Sequence, residues 1–124
     1  MNGPSPLKLA ERTDGDAVVI SAEGIVDMAA APTLTEQIRA ALRRRPAVLI
    51  IDLTKVTFLA TAGMSVLMET DRTSKERSIV FRVVADGPVT VMPMQLLGID
   101  DLLAIYPTVD AAREGLPPST APAH

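Results

Sequence analysis

Residues 47–53 read Ala-Val-Leu-Ile-Ile-Asp-Leu, apolar without a break as far as Asp52. A strand with one wet face alternates polar and apolar side chains. A strand that is apolar at successive positions has to be covered on both faces, which suits a central strand of a parallel sheet packed between helices. Parallel neighbours in turn need crossover connections long enough to hold a helix. This one run therefore sets what the rest of the chain must supply.

The flanking segments supply it. Residues 7–11 alternate weakly and predict an edge strand. Asp14-Gly15-Asp16 is a turn signal, and residues 17–23 follow as a second strand, so the two read as a hairpin. Gly24 is placed to end or kink that strand. Residues 29–45 predict the first helix: Pro32 suits a first turn, and Leu34, Ile38, Ala41 and Leu42 share a face. Glu36 early and Arg43, Arg44 and Arg45 late suit the helix dipole, and Pro46 stops the helix. Residues 62–74 predict a second helix with Met64, Leu67 and Met68 on one side and Glu69, Arg72, Lys75 and Glu76 on its wet side. Residues 79–85 read as a strand, Asp86-Gly87-Pro88 as a turn, and residues 89–97 as a short helix with Pro93 in its first turn. A short last strand is expected within 102–105. Thr108 then caps a final helix over 109–114, ended by Gly115.

The order β-β-α-β-α-β-α-β-α predicts an α/β fold: a single mostly parallel sheet of about five strands with an N-terminal hairpin and about four helices, joined by right-handed crossovers. Pro4 and Pro6 open the chain; Pro117, Pro118 and Pro122 close it. The expected organisation is one domain over 7–115, with disordered tails at 1–6 and 116–124.

Composition removes many functions. There is no cysteine, and the single histidine is His124, the last residue. Thiol chemistry, disulfides, zinc–thiolate sites and His-based triads are thereby excluded. Aromatic residues are 2% of the chain (Phe58, Phe81 and Tyr106) and the net charge is −3, so neither base stacking nor broad phosphate-backbone binding is expected. Arg43, Arg44 and Arg45 read as a solvated helix end rather than a nucleic-acid patch. No apolar stretch approaches the roughly 20 residues a membrane helix needs. Residues 1–6 lack a signal pattern, so no membrane partner is expected and the cytoplasm is the expected location. There is no Walker loop and no G-x-G-x-x-G run. The chain is not expected to be an enzyme, and no metal or other cofactor is called for.

The stretch 52–63, Asp-Leu-Thr-Lys-Val-Thr-Phe-Leu-Ala-Thr-Ala-Gly, is the most informative. A buried strand gives way to a short loop and then a helix, with Thr61 at or beside the helix start. Spacing alone supports an ordinary cap, whose hydroxyl satisfies an orphan amide. It also leaves open a phosphorylation site, where a phosphate would meet free backbone N–H groups and the positive end of a helix dipole. Gly63 would let other backbone approach closely. Asp27 reads as a cap of the first helix or a hydrogen-bonding residue of a turn. Thr57 and Ser65 read as surface hydroxyls. Met64, Met68, Met92 and Met94 offer an adaptable partner surface, although Met64 and Met68 read rather as core. Asp52, at the end of a central strand, raises a receiver-like phospho-Asp domain as an alternative. That reading lacks an acidic pair and a late lysine, and the chain opens β-β instead of β-α.

The stretch 52–63 resembles the signature of STAS domains, in particular the bacterial anti-sigma factor antagonists, whose pattern is Asp-Leu-Ser-x-Val-x-Phe-hydrophobic-Asp-Ser-Ser/Thr-Gly. Asp52, Leu53, Thr54 (for Ser), Val56, Phe58, Leu59, Thr61 (for Ser) and Gly63 match it. The blocks Glu23-Gly24-Ile25-Val26-Asp27 and Leu97-Gly98-Ile99-Asp100-Asp101-Leu102, with Tyr106-Pro107-Thr108, are similar to two further family blocks. The chain departs at Ala60, where the family carries an acid, and at Ala62, often serine. The resemblance implies a partner-switching protein. Unmodified, it binds an anti-sigma factor of Ser/Thr-kinase type and frees a sigma factor. The kinase uses its own ATP to phosphorylate Thr61, which releases the antagonist, and a Ser/Thr phosphatase resets it. The expected partner-binding residues are Asp27, Ala60, Thr61, Ala62, Gly63 and Met64. A STAS interaction module that is never phosphorylated is the alternative within the same family.

Overall fold

In the computed structural model, which describes residues 6–114, the apolar run at 47–53 is the first half of a longer strand. The elements are β1 (Leu7–Asp14), β2 (Ala17–Val26), α1 (Ala31–Arg43), β3 (Val48–Leu59), α2 (Thr61–Glu76), β4 (Val80–Val84), α3 (Pro88–Leu96), β5 (Ile105–Tyr106) and α4 (Val109–Glu114). The strands form one sheet in the order β1-β2-β3-β4-β5. The β1–β2 hairpin is antiparallel, and β2–β3, β3–β4 and β4–β5 are parallel. The α/β class and the element order are those the sequence predicts. The expected tails other than Pro6, and Gly115, lie outside the described residues.

β3 is apolar at successive positions because both of its faces are covered. Leu49, Ile51 and Leu53 point into the larger core, with Leu34 and Ile38 of α1, Leu67 of α2 and Met94 of α3. Ile50 points the other way, into a smaller cluster with Val19, Val84, Tyr106 and Ala112 of α4. Arg82 ties this second layer down: its guanidinium donates to the Ala112 carbonyl at 2.6 Å and lies 5.7 Å from the Tyr106 ring centre. At Asp52 the side chain leaves the covered zone, and its carboxylate accepts from the Thr54 amide at 2.9 Å and hydroxyl at 2.8 Å.

Three local expectations are corrected. First, β3 does not stop at Leu53 but runs to Leu59, because Val56 and Leu59 continue to bury side chains beside the extended end of β2. Second, β2 does not stop at Glu23 but continues to Val26; of the two expectations for Gly24 the kink holds, with register shifts on both sides of Glu23-Gly24. Third, Pro93 is inside α3. The first-turn position belongs to Pro88, where a missing N–H costs nothing, and Pro93 costs the helix one internal bond. The Thr108 cap is present, its hydroxyl accepting from the Ala111 amide at 3.1 Å.

Candidate functional site

The site is built where β2 and β3 end side by side. Val26 pairs with Leu59 in register, and one residue later the Ala60 amide donates to the Val26 carbonyl at 2.9 Å. Ala60 is still extended (φ −86°, ψ 169°) and is the N-cap of α2, with no side-chain cap bond. The first bond of the new helix runs from the Met64 amide to the Ala60 carbonyl at 3.1 Å. The amides of Thr61, Ala62 and Gly63 precede it and have no acceptor within the helix.

Thr61 is therefore the first helical residue and not the cap. Capping requires the extended backbone one position earlier, where alanine has no hydroxyl to offer. Thr61 is exposed, and its hydroxyl has no hydrogen-bond partner among the described residues. With no acid in the first turn of α2, this uncapped, uncompensated helix start favours an anion.

The other expected site residues divide into two groups. Gly63 and Met64 are buried, Met64 at 5% exposure, and they seat α2 on the strand ends; Met64 also lines the groove at whose rim Thr61 stands. A Cβ on Gly63 would come within 2.6 Å of the Val26 side chain, so the close approach expected of this glycine is present. Ala60 and Ala62 are half-buried on either side of Thr61. Asp27, also half-buried, directs the chain into α1: its carboxylate accepts from the Ala30 amide at 3.0 Å and its carbonyl from the Ala31 amide at 2.9 Å. It directly follows Val26, so it lies at the same end of the paired β2 and β3 strands as Thr61.

Thr61 also stands at the rim of an open groove of about 410 Å³ between α2 and the segment after α3. Met68 lines it from α2, and Leu97 and Ile99 from the other wall. Beside it, Val89, Met92 and Leu96 follow at helical spacing on α3 and are all exposed, Leu96 at 82%. Sequence reasoning anticipated the exposure of Met92 but not the groove. Its second wall comes from a loop whose position relative to α2 no local pattern encodes. Met94, two residues on, is fully buried.

Asp52 lies well inside β3, seven residues before its end, and is occupied by Thr54. With the antiparallel opening hairpin, this geometry departs from a receiver domain. Among the described residues no three His, Cys, Asp or Glu side chains are grouped to hold a metal, and no helix is long and apolar enough to cross a membrane.

The hairpin-led, mostly parallel sheet with a helix springing from its central strand is a STAS domain, and the chain belongs to that family, whose model matches residues 8–112. Among named relatives it is 31% identical over 116 residues to the anti-sigma-F factor antagonist RsfB of Mycobacterium tuberculosis, covering 94% of each chain. Among solved structures, an anti-sigma factor antagonist from Mycobacterium paratuberculosis is 33% identical with a TM-score of 0.85, over 94% of this chain and 98% of that one. A Thermotoga maritima structure, 15% identical, shares the fold with a TM-score of 0.77 over 87% and 93% of the two chains.

Proposed function

We propose that the chain is an anti-sigma factor antagonist. It binds an anti-sigma factor of Ser/Thr-kinase type through the face that carries Thr61, so that a sigma factor is released in the bacterial cytoplasm. The observation that carries this reading is the exposed, unbonded Thr61 hydroxyl at the uncapped start of α2, on the rim of a groove into which Met64, Met68, Leu97 and Ile99 bring apolar surface. The similarity to antagonists over nearly the whole chain supports the class of partner.

Phosphorylation of Thr61 is the proposed off-switch. The γ-phosphoryl group of ATP passes to the Thr61 oxygen, whose proton leaves to a base of the kinase, and ADP is released. The chain itself supplies only the acceptor. The product carries roughly −1.5 to −2 charges beside Met68 and Leu97. A partner surface that closes over these apolar side chains would have to take that charge out of water, which costs more than desolvating a neutral hydroxyl. A phosphatase that hydrolyses the ester restores the docking face.

Ala60 favours a second reading, a STAS interaction module that docks without being modified. The position before Thr61 carries no side-chain acceptor to orient the hydroxyl. The two separate in one experiment. Kinase-type anti-sigma factors from the same genome are each mixed with the chain and ATP, and intact mass is read. A gain of one phosphoryl group that Thr61→Ala abolishes supports the switch. Tight binding with no mass change from any of them supports the module.

A further inference from the structure

The cleft between α1 and α2, displaced from Thr61 toward the C-terminal end of α2, carries a charge arrangement that the switch does not use. Its volume is about 310 Å³. From α1, Thr35, Arg39 and Arg43 line it at one-turn intervals; from α2, Glu69, Thr73 and Arg77 do the same. Ile38, Leu42 and Val66 form the apolar floor.

Among the described residues, Arg39, Arg43 and Arg77 form no ion pair, although Arg44 pairs with Glu11 at 2.6 Å, Lys75 with Asp71 at 2.9 Å and Arg113 with Asp14 at 2.8 Å. Glu69, the single acid lining the cleft, is already held by Arg72. Three arginines without an ion pair thus line one cleft whose single acid is paired with Arg72, in a chain whose net charge is −3. Dipole complementarity accounts for Arg43 in the last turn of α1 and for Arg77 at the C-cap of α2. It accounts neither for Arg39, a turn further in, nor for all three lining one concavity. Arg39 and Arg43, one turn apart, repel each other unless an anion bridges them.

We propose that this cleft binds a multiply charged phosphate anion, with Arg39, Arg43 and Arg77 as its ligands. Guanidinium groups offer paired donors that match phosphate oxygens. The Thr35 and Thr73 hydroxyls add donors from the two walls, whereas the Thr70 hydroxyl is committed to the Val66 carbonyl at 2.7 Å. No aromatic side chain lines the cleft, so a nucleobase has nothing to stack on. Recognition rests on the phosphates, whether free as pyrophosphate or carried by a nucleotide. An occupied cleft would cross-link α1 to α2.

The test is calorimetric titration of the full chain with sodium pyrophosphate, and separately with ATP, at constant ionic strength set by sodium chloride. Saturable binding of pyrophosphate is expected. Arg39→Gln, Arg43→Gln and Arg77→Gln should each weaken it about tenfold, the scale of one charged hydrogen bond. Arg45→Gln, which removes an equal charge outside the cleft, should leave it unchanged, as should Thr61→Ala. All are exposed positions, and circular dichroism confirms folding. ATP should bind with similar affinity and the same variant pattern. A response that chloride reproduces, or that Arg45→Gln reduces equally, overturns the proposal. So does ATP binding that far exceeds pyrophosphate and ignores the three arginines.

Discussion

Gly63 and Val26 approach so closely that a Cβ on the glycine would lie 2.6 Å from Val26 Cγ1, 2.9 Å from Leu59 Cδ1 and 3.1 Å from the Val26 carbonyl oxygen. Val26 is fully buried and β-branched, and its carbonyl is fixed by the Ala60 amide, so neither neighbour can give way cheaply. Gly63→Ala should gain about 0.5–1 kcal/mol of helix propensity and lose about 1–3 kcal/mol to overpacking. The expected outcome is a net loss of about 1 kcal/mol in urea unfolding. An unchanged or higher midpoint would mean that the strand ends are soft, and the placement of Thr61 with them.

A larger effect is expected at Gly24. Its φ is +108°, and a Cβ there would meet the Pro6 carbonyl oxygen at 2.0 Å, a backbone atom that accepts from the Ile25 amide at 3.0 Å. Gly24→Ala must break that bond and hold alanine in a strained conformation. It should cost at least about 3 kcal/mol, more than Gly63→Ala, since bulk and strain add. Hydrogen exchange at Ile25 should accelerate. A loss equal to or smaller than that of Gly63→Ala would show that β1 can move aside.

The sequence made the fold legible where side-chain pattern depends on covering layers. The apolar run around Ile50 announced a strand buried on both faces, and Leu34, Ile38 and Leu42 announced a helix face. It was misleading where pairing overrides composition. Thr54, Lys55 and Thr57 are exposed and polar, yet they extend as strand because β2 pairs alongside as far as Val26. Thr61 was legible as a residue at a helix start, since the motif around it fixes where α2 begins. Its exact rank, first in the helix and not the cap, depends on Ala60 staying extended, which an alanine does not advertise. The arginine cleft was invisible because Arg39 and Arg77 are brought together only by the packing of α1 beside α2.

The bare start of α2 can be filled. Ala60 already has the extended backbone of a cap residue and lacks only an acceptor. Ala60→Asp should place a carboxylate within reach of the Ala62 and Gly63 amides and stabilise the protein by about 1 kcal/mol. The check is thermal or urea unfolding beside the parent. No gain would mean that those amides already have partners, and it would remove the ground for an anion-favouring helix start.

The switch requires that Thr61 act on docking and not on folding. Because Thr61 is not the cap, Thr61→Ala should change stability by no more than about 0.5 kcal/mol, within the range of ordinary surface substitutions. It should bind a kinase-type anti-sigma factor as the parent does and accept no phosphoryl group. Thr61→Glu puts a negative charge at a helix N-terminus, so it should hold stability or raise it by about 0.3–1 kcal/mol. In the proposed complex the same charge would meet a closing surface beside Met68 and Leu97, and affinity should fall about tenfold or more. Calorimetric binding and urea unfolding of the same preparations separate the two effects. If Thr61→Glu binds as tightly as the parent, Thr61 lies outside the interface; if it instead unfolds the protein, a loss of binding says nothing about docking, and the phosphorylated parent must be tested directly.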